Sequence, residues 1–225
     1  MDRVFAASLR PFSEVKHVAV AIGQTGAGQY HIGLIHREAA APDVLCLHLA
    51  WHCRLMNEPA SSLVSHWIDM PTPSRRAQQV AARCRQIWKA NGKSSIPYGF
   101  SHPSDSFDSV SGRFLLGPTR HGLTCASFVL AVFHFAGIPL ADYATWPTGR
   151  SSDREWQESV VQLLQSRAAP EHIAAVTEEV GAVRFRPDDV AGAATQVPPV
   201  TFEVANSLGI RIVELIAGAS AAPQY

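Results

Sequence analysis

Gly122-Leu123-Thr124-Cys125-Ala126-Ser127-Phe128-Val129-Leu130 sets a thiol at the head of an apolar run. Thr124 or a neighbour is a suitable cap, and the residues that follow predict a helix from about Cys125 to Ala136, stopped by Gly137. Phe128, Val129, Val132, Phe133 and Phe135 make that helix apolar nearly all round, so it should be buried. Upstream, His31-Ile32-Gly33-Leu34-Ile35 reads as a strand that opens with a histidine. A thiol at a helix N-terminus and an imidazole on a strand are the two parts a cysteine hydrolase needs.

Around His31 the pattern is one of short strands. Val15 to Ile22 is strand-like, a Gly-rich turn follows at 23–28, and a second strand runs from about Gln29 to Arg37. Those glycines lack the lysine and spacing of a phosphate loop, which leaves a hairpin connection. A turn at 39–43 leads to a third strand, Val44 to Trp51. Strands joined this closely predict an antiparallel meander.

Pro71-Thr72-Pro73-Ser74 breaks the pattern and starts a helix, with Ser74 or Thr72 as cap, that runs to about Asn91 before Gly92. Ala77, Val80, Ala81, Cys84, Ile87 and Trp88 share one face of it, and its arginines and Lys89 read as a solvated face. The stretch 94–122 is irregular, and a loop of that length leading into Cys125 is expected on the substrate side. The last third changes character, with helices expected over about Asp153 to Arg167 and from Pro170 to Gly181, and a short turn at Arg186 to Val190. Val200–Glu203 and Ile210–Ile216 are compatible with strand or helix.

Composition bounds the function. The chain has 225 residues, of which 47% are hydrophobic and 17% charged, as in an ordinary globular protein. Lys and Arg number 19 against 19 Asp and Glu, so no nucleic acid or anionic membrane is implied as a partner. No apolar run approaches the ~20 residues that span a bilayer, and the N-terminus does not read as a signal peptide, which predicts a cytoplasmic protein with no stable membrane insertion. Cys46, Cys53, Cys84 and Cys125 show no paired spacing, so reduced thiols are expected, with Cys46 and Cys84 as buried small hydrophobes. No cofactor is implied.

The chemistry follows from position. A free thiol has a pKa of about 8.5, and a helix N-terminus and a neighbouring imidazole both favour the thiolate. A helix N–H group there can also face the oxyanion of a tetrahedral intermediate. His31 shares a strand face with Gly33, where a missing side chain leaves room for a helix end to approach. His48, one strand on, is placed to reach the far nitrogen of His31 and fix its tautomer, with Glu38, Asp43 or a backbone carbonyl as alternative orienters.

The Thr124-Cys125-Ala126-Ser127-Phe128-Val129 run and the His31-Ile32-Gly33-Leu34 strand resemble the NlpC-type branch of the papain-like cysteine peptidases. Because histidine precedes cysteine, the likeness is to the circularly permuted branch, which includes amidases and lecithin:retinol acyltransferase-like enzymes. The resemblance covers roughly residues 15 to 140. It implies an α+β papain-like fold with an antiparallel sheet packed on the Cys125 helix and a catalytic domain over 1–150; the helices read in the last third make 151–225 a helical extension, expected to pack on the same domain and outside the resemblance. It further implies Cys125 as nucleophile, His31 as base and His48 as third group. Pro97-Tyr98-Gly99-Phe100 is similar to the family's Tyr-x-x-Gly approach to the nucleophile, placing Tyr98, with Thr124, at the oxyanion or substrate. The expected substrate is a peptide, a protein or an acyl ester.

Two other readings use the same residues. A catalytically inactive member of the superfamily would be a binding module. Alternatively His31, His36, Cys46, His48, His52 and Cys53 are zinc-type ligands in dense supply, although no finger-like pair spacing occurs and strand alternation sends His36 away from His31.

Overall fold

Six strands form one antiparallel sheet: β1 (Val4–Ala6), β2 (Val18–Gln24), β3 (Tyr30–Arg37), β4 (Val44–Trp51), β5 (Arg54–Pro59) and β6 (His66–Ile68), in the order β1-β6-β2-β3-β4-β5. The computed structural model describes residues 1–26, 28–37, 44–60, 64–93, 95–117 and 121–220. The turn read at 39–43, with Glu38 and Asp43 as alternative orienters, lies outside the described residues. Both faces of the central strands are buried, which is why they read as near-continuous apolar runs. Ile32, Leu34, Leu47 and Leu49 enter the main core, whereas Ala19, Ala21, Ile35, Cys46 and Trp67 pack under Val15 and Val64 on the other face.

The β2–β3 connection is the tight hairpin expected, closed by Thr25 N–H to the Gln29 carbonyl at 2.6 Å. Sequence reading passed over β1, β5 and β6. β6 has three residues, β1 has three, and β5 is polar along Asn57-Glu58-Pro59, so none of them carries a strong periodic signal. Pairing with an existing strand makes them strands.

Six helices complete the α+β fold among the described residues: α1 (Ser74–Asn91), α2 (Cys125–Phe135), α3 (Ser151–Leu164), α4 (Pro170–Glu178), α5 (Pro187–Ala194) and α6 (Phe202–Ser220). Pro73 occupies the N-cap of α1 without a side-chain bond, so neither Thr72 nor Ser74 caps it. Gly92, at φ 64°, ends that helix as expected. Of the two segments that allowed strand or helix, Ile210–Ile216 is helical, whereas Val200 bridges Ala141 and α6 begins at Phe202; Ala205, Ile212 and Ile216 fall on one buried face of α6.

α5 and α6 cross at backbone contact. A Cβ on Gly192 would overlap the Ala205 carbonyl, and one on Gly209 would lie 2.6 Å from the Asp188 carbonyl. One apolar cluster joins Ile22 and Ile32 of the sheet, Phe128 of α2, and Val160, Val190 and Ile212 of the later helices. No helix among the described residues is long and apolar enough to cross a membrane.

Candidate active site

Cys125 is the first residue of α2. Thr124 caps it: the Ser127 N–H donates to Thr124 Oγ1 at 3.1 Å, and the Thr124 N–H donates to Ser127 Oγ at 2.8 Å. Thr124 lines the cleft, but this reciprocal box engages both its N–H and its hydroxyl. Its polar groups fix the helix start on which the thiol sits.

The sulfur meets the sheet where the pairing of two strands ends. Pairing of β3 with β4 runs from Arg37↔Val44 to Leu34↔Leu47 and ends there. Beyond that point the Ile32 and Ala126 backbones and the Tyr98 hydroxyl act on the Cys125 thiol. Each of these donors favours the thiolate, as does the charge of Arg184, yet burial is the larger effect and pushes the thiol above its ordinary value. The expectation of a thiol lowered by its helix end is therefore met only in part. Desolvation wins.

His31, the residue before Ile32, lines the same cleft as Cys125, a space of about 350 Å³. Its Nε2 lies 2.8 Å from His48 Nδ1, and His48 Nε2 lies 3.4 Å from Glu58 Oε1. One tautomer assignment satisfies both contacts: His31 Nε2–H donates to His48, and His48 Nε2–H donates to Glu58. That leaves His31 Nδ1 as the lone-pair nitrogen. Burial, then the neighbouring His48, lowers His31 to about 4. His48 is also lowered by burial, with Glu58 opposing.

Gly33 makes the relay possible, though not in the expected way. What crowds it is β4 and no helix end: a Cβ there would stand 2.9 Å from both Cys46 Sγ and His48 Cβ.

Tyr98 reaches the nucleophile across the long loop because the two ends of that loop are joined. Leu123 N–H donates to the Pro97 carbonyl at 3.0 Å, and Ser101 N–H donates to the Gly122 carbonyl at 3.0 Å. A Cβ on Gly122 would lie 2.6 Å from Gly99 N, so the backbones touch. Two histidines then pin the Tyr98 backbone. Tyr98 N–H donates to His52 Nδ1 at 3.3 Å, and His172 Nε2 donates to the Tyr98 carbonyl at 2.8 Å. The Tyr98 ring packs on Trp51 with centroids 4.5 Å apart.

The structure thus brings Cys125, His31, Tyr98 and Thr124 to one cleft, with His48 behind His31. Sequence reading missed Glu58, the pinning pair His52 and His172, and a far wall made of Trp156, Arg184, Phe185 and Arg186. Glu58 follows only from strand pairing: with β5 on β4, Cys46↔Glu58 puts it on the His48 face.

Of the six-residue Cys/His cluster, His31 and His48 bond each other. His36 Nε2 pairs with Asn57 Oδ1 at 2.8 Å, and among the described residues no group of three His, Cys, Asp or Glu is arranged to hold a metal ion. Comparison with protein-family models, with curated proteins and with solved structures returns no match.

Proposed function

We propose that this chain is a cysteine-dependent hydrolase of the permuted papain-like type, cleaving an amide, isopeptide or (thio)ester bond. One observation carries the reading: a capped helix places Cys125 in a cleft with His31, whose far nitrogen is held by His48, itself held by Glu58. As Sγ attacks the substrate carbonyl, its proton passes to His31 Nδ1, and the positive ring is oriented by His48 and Glu58. The oxyanion is held by the Ala126 N–H and the Tyr98 hydroxyl, the donors beside the sulfur. His31 then protonates the leaving group, and water, deprotonated by His31, releases the acyl group from Cys125.

The test is a panel of p-nitrophenyl esters and peptide coumarin amides, read by intact mass and by peptide mapping. The expected result is an acyl adduct on Cys125 that decays, no adduct in Cys125→Ala, and acylation slower by on the order of 100-fold in His31→Ala. Turnover by Cys125→Ala would overturn the proposal.

A second reading, a catalytically inactive binding module, draws on the burial that raises the thiol and lowers its partner imidazole. Its signature is a folded protein in which no acyl group of the panel reaches Cys125.

A further inference from the structure

One wall of the cleft comes from the C-terminal third, for which no role was read in the sequence. Trp156 of α3 and the segment Arg184–Asp188 line it opposite Cys125, Tyr98 and Tyr30. Arg184 sits over Trp156, its guanidinium carbon 3.8 Å from the ring centroid. Its Nη1 donates to Asp153 Oδ1 at 3.2 Å, while its Nε is buried with no hydrogen-bond partner among the described residues.

Three guanidiniums crowd one carboxylate beside it. Arg186 competes for the same Asp153 oxygen, with Nη2 at 2.7 Å and Nε at 2.9 Å, and Arg150 takes Asp153 Oδ2 at 2.6 Å. One carboxylate serves three guanidiniums, and Asp189 relieves Arg150, with which it pairs at 2.9 Å. Asp188 is the remaining acid on the wall; burial and the charge of Asp189 raise its pKa, opposed by its backbone and by Arg186 and Arg184. A buried guanidinium nitrogen without a partner is costly to the fold unless something else satisfies it.

We propose that Arg184, with Arg186 behind it, is a carboxylate subsite, so that the substrate carries an anionic carboxyl group within a few bonds of the carbonyl that Cys125 attacks. This rests on the hydrolase reading and adds the substrate class to it. The planar guanidinium lines the cleft, and an Nη–H there can donate to an oxygen of a carboxylate. Trp156, Phe185 and Trp51 line the same space and lower its polarity, which strengthens such a bond. A neutral lipid ester lacks the group this wall is built to hold.

Iodoacetate and iodoacetamide test the idea. Each places a methylene on the sulfur with loss of iodide, and they differ only in carrying a carboxylate or an amide. The readout is the ratio of their rates at Cys125, by mass spectrometry of the Cys125 peptide, divided by the same ratio for 2-mercaptoethanol in the same low-salt buffer. The expected quotient is on the order of tenfold, the effect of one good charge-assisted bond. It should fall toward one in Arg184→Gln, and in the wild type as sodium chloride is added. Loss of Arg184 also disfavours the thiolate, but that slows both reagents and cancels in the ratio. Should Arg184→Gln fail to fold, the wild-type quotient and its salt dependence still decide. A wild-type quotient of one, with iodoacetamide alkylation that depends on His31, overturns the subsite and leaves the hydrolase. Alkylation by both reagents that is indifferent to His31→Ala removes the hydrolase reading, and the inference with it.

Discussion

Gly33 and His48 approach so closely that a methyl group on the glycine would come within 2.9 Å of the histidine Cβ. Directly opposed residues on antiparallel strands usually keep their Cβ atoms about 4.5–5.5 Å apart. β3 and β4 are therefore closely packed here, one residue past their last paired position, and the His48 ring lies 2.8 Å from His31 Nε2. Gly33→Ala is expected to cost about 1–3 kcal/mol of stability through overpacking, and to separate the two imidazoles. Urea unfolding measures the first effect. Acylation of Cys125 measures the second, and should fall by more than the loss of folded protein explains. Normal acylation in a folded Gly33→Ala would show that His48 contributes nothing through His31.

Glu58 is the outermost member of the relay. Its carboxylate is about a third exposed and its bond to His48 is long, at 3.4 Å, so it holds His48 more loosely than a buried acid would. Glu58→Gln is expected to lower acylation by roughly tenfold, well short of the loss from His31→Ala. The amide oxygen of glutamine still accepts from His48 Nε2, but it cannot stabilise a positive charge passing along the two rings. A loss equal to that of His31→Ala would make Glu58 indispensable and would revise the relay. No change at all would end the relay at His48.

How far the sequence could be read follows from these contacts. The α2 start, the β2–β3 hairpin and the β3–β4 meander rest on local signals: a Thr–Ser cap, a Gly-rich turn and unbroken apolar runs. His48 was legible because period-two alternation places it on the His31 face one strand away. Glu58 was not, because β5 is recognisable as a strand only from its pairing with β4. Tyr98 was found through a motif, but its closeness to Cys125 depends on the backbone contact of Gly99 with Gly122, which spacing along the chain does not express. The wall opposite the thiol is more remote still. Asp153 lies on α3, some thirty residues before Arg184 and Arg186, and nothing local marks the three as one cluster.

Acid should weaken the fold through His31. Burial, and then His48, lowers its folded value to about 4 from an ordinary 6.5. An unfolded chain protonates this ring as pH drops below about 6.5, while the folded protein resists until about 4. The contribution of neutral His31 is therefore complete above pH 6.5, declines between 6.5 and 4, and is gone below. Urea unfolding at pH 7.5, 5.5 and 4 is expected to show a shallower decline in His31→Gln than in the wild type. Equal slopes would place the acid sensitivity in other groups.

The same burial governs the nucleophile. With the thiol raised and its partner imidazole lowered, the resting site holds a neutral pair, and the proton moves as the sulfur attacks. Alkylation of Cys125 by iodoacetamide is expected to keep climbing through and beyond pH 8.5. Acylation by an ester substrate should be slower in heavy water, because proton transfer to His31 belongs to the step. A rate plateau already established below pH 6 would mean a thiolate–imidazolium pair and would reverse this description.

Asp153 ties the far wall to the fold. It is 4% exposed and its two oxygens receive Arg150, Arg184 and Arg186. Asp153→Ala leaves three guanidiniums sharing Asp189 and solvent, and removing one side of a buried ion cluster costs about 3–5 kcal/mol. Asp153→Asn keeps an acceptor oxygen and should cost less, which makes it the better probe of the site. In that variant Arg184 loses its anionic partner at Nη1 while staying stacked on Trp156. The expected outcome is a folded protein whose KM for a carboxylate-bearing substrate changes more than its kcat, because the carboxylate of Asp153 steers the arginine and does not touch the reacting atoms. A kcat loss with KM unmoved would instead connect Asp153 to the chemistry at Cys125, and would require Arg184 to act on the thiolate or the oxyanion alone.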